Sequence, residues 1–137
     1  THSSVDTYLK EKYNIECYIS LVYAMFGETK ESLKNTYNHI QELIKNGKIC
    51  GIGARLLFPL KSSFDGQRLQ SRLKEENINL EIYKDNNNNN IVEDLWIKYC
   101  TYVKLEEVLQ IHLMIQELAG KYKIKINNIR RVQQTFK

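Results

Sequence analysis

Between Ile91 and Gly120 the chain reads as helix throughout, yet no single straight helix with one core behind it can bury what that stretch carries. At about 100° per residue, Val92, Leu95, Trp96, Tyr99 and Val103 fall on one side of the wheel, and Glu93, Asp94, Lys98, Thr101 and Lys104 on the other. Past Lys104 the faces exchange. Glu106, Glu107, Gln110 and Glu117 come round to the formerly apolar side, and Val108, Ile111 and Ile115 to the formerly polar one. An uninterrupted rod would run roughly 43 Å at about 1.5 Å per residue, longer than a small domain is wide, and a second chain would have to cover one end. Thr101, Tyr102 and Val103 lose side-chain freedom against a preceding helical turn, so a break there costs little. The expectation is two helices, Ile91 to Val103 and Leu105 to Ala119, with Gly120 as C-terminal cap and Glu106 and Glu107 at the positive end of a new helix dipole.

The rest of the chain has to supply a core for those two helices, and 137 residues can do so as one domain, residues 1–137, without disulfide or metal staples. With 42% hydrophobic and 26% charged residues, the composition excludes intrinsic disorder. The chain starts at Thr1 with no initiator methionine, which reads as a processed form or a fragment of something longer. Cys17 to Phe26 is apolar but about half the 20 or so residues a bilayer span needs, and Glu11 and Glu16 in front of it argue against a secretory signal. No membrane span is expected. Three separate cysteines, Cys17, Cys50 and Cys100, each among apolar neighbours, read as buried thiols of a reducing compartment, cytoplasm or nucleus. Heavy use of Asn, Lys, Ile and Tyr, with the homopolymer Asn86 to Asn90, looks like the coding bias of an A+T-rich genome. Residues 85–90 read as a solvated Asn-rich loop.

In chain order, Ser3 or Ser4 can cap a short helix from Val5 to Tyr13. From Ile15 to Phe26 both alternating sets of positions are apolar, so periodicity does not choose between strand and helix, and Leu21, Ala24 and Met25 lean to helix. Thr29 to Asn46 is a helix with Leu33, Tyr37, Ile40 and Ile44 on one stripe, a half-buried His39 at its border and Asn46-Gly47 as its stop. Gly51 and Gly53 favour a strand over Lys48 to Ile52, closed by Pro59, the only proline. Ser63 caps a helix from Phe64 to Glu76 that Gly66 weakens. Ile78 to Tyr83 and Tyr122 to Ile126 alternate as short strands, which with residues 48–52 would form a small antiparallel sheet. Asn127 or Asn128 would then cap a last helix through Arg130 to Phe136. The fold class is mainly α: a single compact domain of five or six helices with at most a small two- or three-stranded sheet, α+β being the alternative.

No constellation for catalysis or metal binding survives its spacing test. His2, His39 and His112 do not form an H-x-H or H-x-x-x-H pair, and the cysteines form no C-x-x-C, so no metal site or cofactor is expected. The glycines of residues 47–53 fit neither the P-loop nor the dinucleotide spacing. Asp65, Glu81 and Lys84 could suggest a nuclease, but Glu81 and Lys84 would point to opposite faces of a strand. The pairs Glu93-Asp94 and Glu106-Glu107 diverge on a helix and cannot converge on one substrate atom. An enzyme is therefore the third reading, and no catalytic residue is assigned.

Charge gives the first reading. The last seventeen residues hold six cations and no acid, whereas the preceding 120 hold fourteen cations against sixteen acids. Lys121, Lys123 and Lys125 on one strand face, with Arg130, Arg131 and Lys137 behind, would make a strip for the phosphates of nucleic acid or for an acidic protein surface. The helix order resembles a helix-turn-helix, but the connection from Gly120 to Asn127 is too long for one. The expected function is a non-catalytic binding module using residues 121–137. The alternative is a helical assembly subunit, a homo- or hetero-oligomer, in which another chain covers Trp96 and Tyr99 or, opposite, Ile111 and Ile115.

Overall fold

The run whose lettering left strand and helix open is a strand, a correction to the helical leaning. In the computed structural model, which describes residues 16–83 and 88–135, β1 spans Tyr18–Tyr23 and pairs in parallel with β2, Gly51–Leu56. Ile19, Leu21 and Tyr23 alternate toward the core, while Tyr18, Ser20 and Val22 share the other face. Both sets of positions look apolar in the sequence because the second set holds Tyr18, which is exposed, and Val22, which is partly buried against the core.

Between the two strands runs α1, Lys30–Lys45, as its stripe of Leu33, Ile40, Leu43 and Ile44 required. Its start is fixed reciprocally: the Thr29 hydroxyl accepts from the Ser32 amide at 3.0 Å, and the Ser32 hydroxyl accepts from the Thr29 amide at 2.8 Å. Gly47, at φ +65°, takes the left-handed position after its end. His39 is exposed, not half-buried as expected. After β2 come α2, Phe64–Glu75, with Ser63 Oγ accepting from the Gly66 amide at 3.0 Å, and a 3-10 turn at Leu80–Tyr83. That turn replaces the strand expected over Ile78 to Tyr83. Asn77, at φ +57°, turns the chain out of α2, and the Tyr83 hydroxyl donates to the Pro59 carbonyl at 2.8 Å.

The exchange of faces is resolved by a corner. α3 spans Asn89–Cys100 and α4 Leu105–Lys121. The corner is sealed by the loop after β1: Gly27 N–H donates to the Cys100 carbonyl and Tyr102 N–H to the Glu28 carbonyl, both at 2.8 Å. Glu107 accepts from the Lys104 amide at 2.8 Å and pairs with Lys30, which together hold its carboxyl below the usual range. α3 begins two residues early, so Asn89 and Asn90 belong to its first turn and not to a loop. α4 runs through Gly120, which is not its cap; the chain turns instead at Lys123, φ +56°.

The third strand is only Lys125–Ile126, parallel to β2 rather than antiparallel. Asn127 prolongs it: its side-chain amide accepts from the Ala54 N–H at 2.6 Å and donates to the Ala54 carbonyl at 2.8 Å, so it clips β2 instead of capping the last helix, α5, Arg130–Thr135. The expected helix from Val5 to Tyr13 lies outside the described residues. The described chain is thus mainly helical, five α-helices with a small three-stranded sheet.

Strand order β1-β2-β3 decides what stays open. Parallel connections are right-handed in nearly all proteins, so two successive ones stepping the same way across a sheet put their helices on one face. α1 and α4 accordingly pack on each other, and α4 meets the core-facing side of the sheet, its His112 bonding the Tyr23 hydroxyl. The opposite face carries Tyr18, Ser20, Val22, Gly51, Gly53, Arg55 and Lys125.

Candidate nucleic-acid interface

The cations expected to form one strip are sorted by the fold into different roles. Arg131 leaves the set. It is 9% exposed and bridges Glu93 at 2.9 Å and Asp94 at 2.7 Å, tying α5 to the first turns of α3. Burial raises the Glu93 carboxyl pKa more than Arg131 lowers it, so the arginine compensates a buried acid and is not free for a phosphate. Lys137 lies outside the described residues. Lys121, Lys123 and Lys125 are exposed but not on one strand face, since Lys121 ends α4, Lys123 is the left-handed turn and only Lys125 is in β3. Arg130 is exposed and reaches the Asn90 side chain at 3.5 Å.

Lys125 is in register with Gly51, which in turn faces Tyr18 across β1. The expected strip is thereby joined to residues the sequence reading left out: Tyr18, Gly53 and Arg55. Arg55 is exposed two positions beyond Gly53 on the same face. Among the described residues, Arg55, Lys121, Lys123 and Lys125 make no ion pair. Beside β2 a depression is lined by Arg55, Asn127 and Arg130, together with Glu93, which Arg131 pairs. The result is an open sheet face with cations on two sides and one aromatic ring. On β1's side Glu16 accepts from the Tyr18 hydroxyl at 2.9 Å and holds that phenol above its usual pKa.

The floor between Tyr18 and Lys125 is backbone. A Cβ at Gly51 would lie 2.4 Å from the Tyr18 ring, so in this conformation the ring fills the space that a side chain there would need. Gly53 is different. A Cβ there would meet nothing nearer than the Ile19 carbonyl at 4.0 Å, its φ lies outside the left-handed region, and the residue is exposed. The trough lined by Tyr18, Ser20, Gly51, Gly53, Lys125 and Asn127 is therefore deeper than the fold needs it to be.

The residues expected to meet another chain divide similarly. Trp96 and Ile115 are fully buried in this chain's own core, the indole donating to the Ala24 carbonyl at 2.7 Å, so neither is available to a partner. Ile111 is partly buried against that core. Tyr99 remains at the surface, lining a groove with Phe26, Phe64, Arg68 and Arg72. Arg68 stacks over the Phe26 ring at 4.1 Å and Arg72 over Tyr99 at 5.5 Å. Both guanidinium groups already pair with carboxylates of their own helix region, Asp65 for Arg68 and Glu76 for Arg72.

His112 is wholly buried, and its roles follow from its partners. The Asn127 carbonyl, 3.2 Å from Nε2, can only accept, so Nε2 carries the proton and Nδ1 accepts from the Tyr23 hydroxyl at 2.9 Å. Burial depresses its pKa, and burial pushes the Tyr23 phenol far up, so the pair is a neutral structural link between α4, β1 and the end of β3. Among the described residues no group of histidine, cysteine and carboxylate side chains is clustered to hold a metal ion, and no helix is long and apolar enough to cross a membrane. No protein-family model matches the chain, and no curated protein or solved structure is significantly similar to it.

Proposed function

We propose that this chain is a non-catalytic binding module that engages nucleic acid on its open sheet face, with Arg55, Lys125 and Arg130 contacting phosphates and Lys121 and Lys123 adding to the positive field. The observation that carries the reading is the conjunction, among the described residues, of a sheet face that no helix covers with exposed cations, Arg55 and Lys125 foremost, that form no ion pair with a carboxylate. Phosphate contacts of this kind release condensed counterions, so affinity for single strands falls with salt at a logarithmic slope of about 0.7 per contact. Three to four contacts would give a slope of about −2 to −3. Fluorescence anisotropy with a labelled single-stranded oligonucleotide across a salt series tests this. Arg55→Glu with Lys125→Glu should abolish binding at moderate salt without lowering Tm, because neither side chain is buried or paired. Salt-indifferent association, or full affinity in that variant, would refute the proposal. The reading includes a reducing intracellular setting, supported by three thiols that form no disulfide, two of them buried.

A second reading has its own support. Phe26 and Phe64, 55% and 77% exposed, line the groove with Tyr99, Arg68 and Arg72, a concentration of aromatic and arginine surface typical of protein interfaces. As an assembly subunit the chain would show a concentration-dependent mass in sedimentation, lost in Phe26→Ser with Phe64→Ser. A monomeric mass at every concentration would count against self-assembly.

A further inference from the structure

The bare trough over Gly53 calls for an occupant. Glycine inside a strand costs roughly 0.5–1 kcal/mol relative to alanine and offers no side chain to pack. Where the backbone conformation or a neighbour demands glycine, that cost is explained, as the Tyr18 ring explains Gly51. At Gly53 neither applies, since a Cβ would find ordinary space and the φ is one any residue adopts. Strand glycines without an internal reason mark places where something approaches the backbone closely. A flat group suits this space, which is shallow and open along Gly53 and Ser20 and bordered by the Tyr18 ring. Negative charge linked to it would meet Lys125, one strand over from Gly51, and Arg55, two residues on from Gly53, while the Glu16 carboxylate sits at the Tyr18 hydroxyl on the β1 side.

We infer that the trough over Gly53 seats an unpaired base of single-stranded nucleic acid, with Tyr18 as its stacking wall and Lys125 and Arg55 on the adjoining phosphates. This rests on the proposed function, and it narrows the ligand: a paired base inside a duplex cannot reach a seat recessed into a sheet, whereas every unstacked base offers a face to a tyrosine ring. The chemistry is sequence-tolerant, since besides Ser20 the neutral polar group at the trough is the Asn127 amide, which is already bonded to the Ala54 backbone.

The test compares a labelled oligothymidylate with an abasic oligonucleotide of the same length, which keeps the phosphates and removes the bases. The wild-type chain should bind the base-bearing strand about tenfold more tightly, the effect of one stacked base. Gly53→Val fills the trough with a good strand former and should keep or raise Tm; it should lose that tenfold advantage for oligothymidylate while binding the abasic strand as before, with the salt slope unchanged. Equal wild-type affinity for the two strands overturns the base seat and leaves the phosphate-binding face standing. So does Gly53→Val that is folded and binds oligothymidylate at full strength. Should Gly53→Val fail to fold, the comparison of the two strands on the wild-type chain decides alone. Absence of binding to either strand removes both the seat and the proposed function.

Discussion

Replacing Arg131 with methionine separates a structural cation from a contacting one. The Arg131 side chain is 11% exposed; besides Glu93 and Asp94 it donates to the Asn90 carbonyl at 3.4 Å. Methionine keeps most of the buried stem and removes the charge. Asp94, 53% exposed, regains water and loses little, but Glu93, 16% exposed, is left as a buried carboxylate without its partner. Removing one member of a fully buried pair costs about 3–5 kcal/mol, and the partial exposure of this one brings the expectation to about 2–3 kcal/mol. At about 3–5 °C per kcal/mol for a chain of this size, Tm should fall by about 6–15 °C. The loss has a pH signature. Burial already holds the Glu93 pKa above its unfolded value, so its ionisation opposes folding as pH rises through the folded pKa, and without Arg131 that pKa goes higher still. The deficit should be largest at neutral pH and shrink as pH falls into the carboxylate range. Glu93→Gln in the Arg131→Met background should recover part of it. Circular-dichroism melts of the three chains at several pH values measure all of this. An Arg131→Met chain melting within about 2 °C of wild type at neutral pH would refute the reasoning and return Arg131 to the phosphate-binding set.

Gly66→Ala should destabilise even though alanine is the better helix former by about 1 kcal/mol. Its Cβ would fall 1.8 Å from the Leu60 carbonyl oxygen and 2.7 Å from its carbon, backbone atoms that cannot swing aside, so a net loss of about 1–3 kcal/mol is expected, and a raised Tm would contradict the packing. His112 gives the chain a pH dependence of its own. Neutral in the fold with a depressed pKa, it contributes stability that is complete above the unfolded value of 6.5 and lost as pH falls below it. Wild-type Tm should therefore drop more between about pH 7 and about pH 5.5 than that of His112→Gln, and parallel curves would show that the ring is not held neutral.

How much of this was legible in the sequence depended on whether the deciding interaction was local. Thr29 to Asn46 and the Ser63 cap were readable because a stripe, a cap and a glycine all sit within one turn of what they fix. The corner after Cys100 was readable because exchanged faces rule out a straight rod with a single core behind it, and Thr101 to Val103 make a break there cheap. Partners distant in sequence were not. Within the ambiguous run, Tyr18–Tyr23 became a strand because β2, some thirty residues on, offers a parallel ladder. Ile78 to Tyr83 alternates like a strand yet finds no ladder, and turns as 3-10 under Asn77 and Tyr83.

The same limit governs the candidate site. Arg131 and Arg130 are identical in the sequence, and only the return of α5 to α3 makes one an internal counter-ion and leaves the other outside. Trp96 and Ile115 marked two opposed faces correctly, but the corner folds both faces into one core, which removes the need for a second chain that an unbroken helix would have created. One signal was available and went unused. Gly51, Gly53 and Arg55 follow at intervals of two, which places them together on one face of any strand they share. Taken with a sheet whose connecting helices all step in one direction, that spacing is enough to put bare backbone and a free guanidinium on the uncovered side.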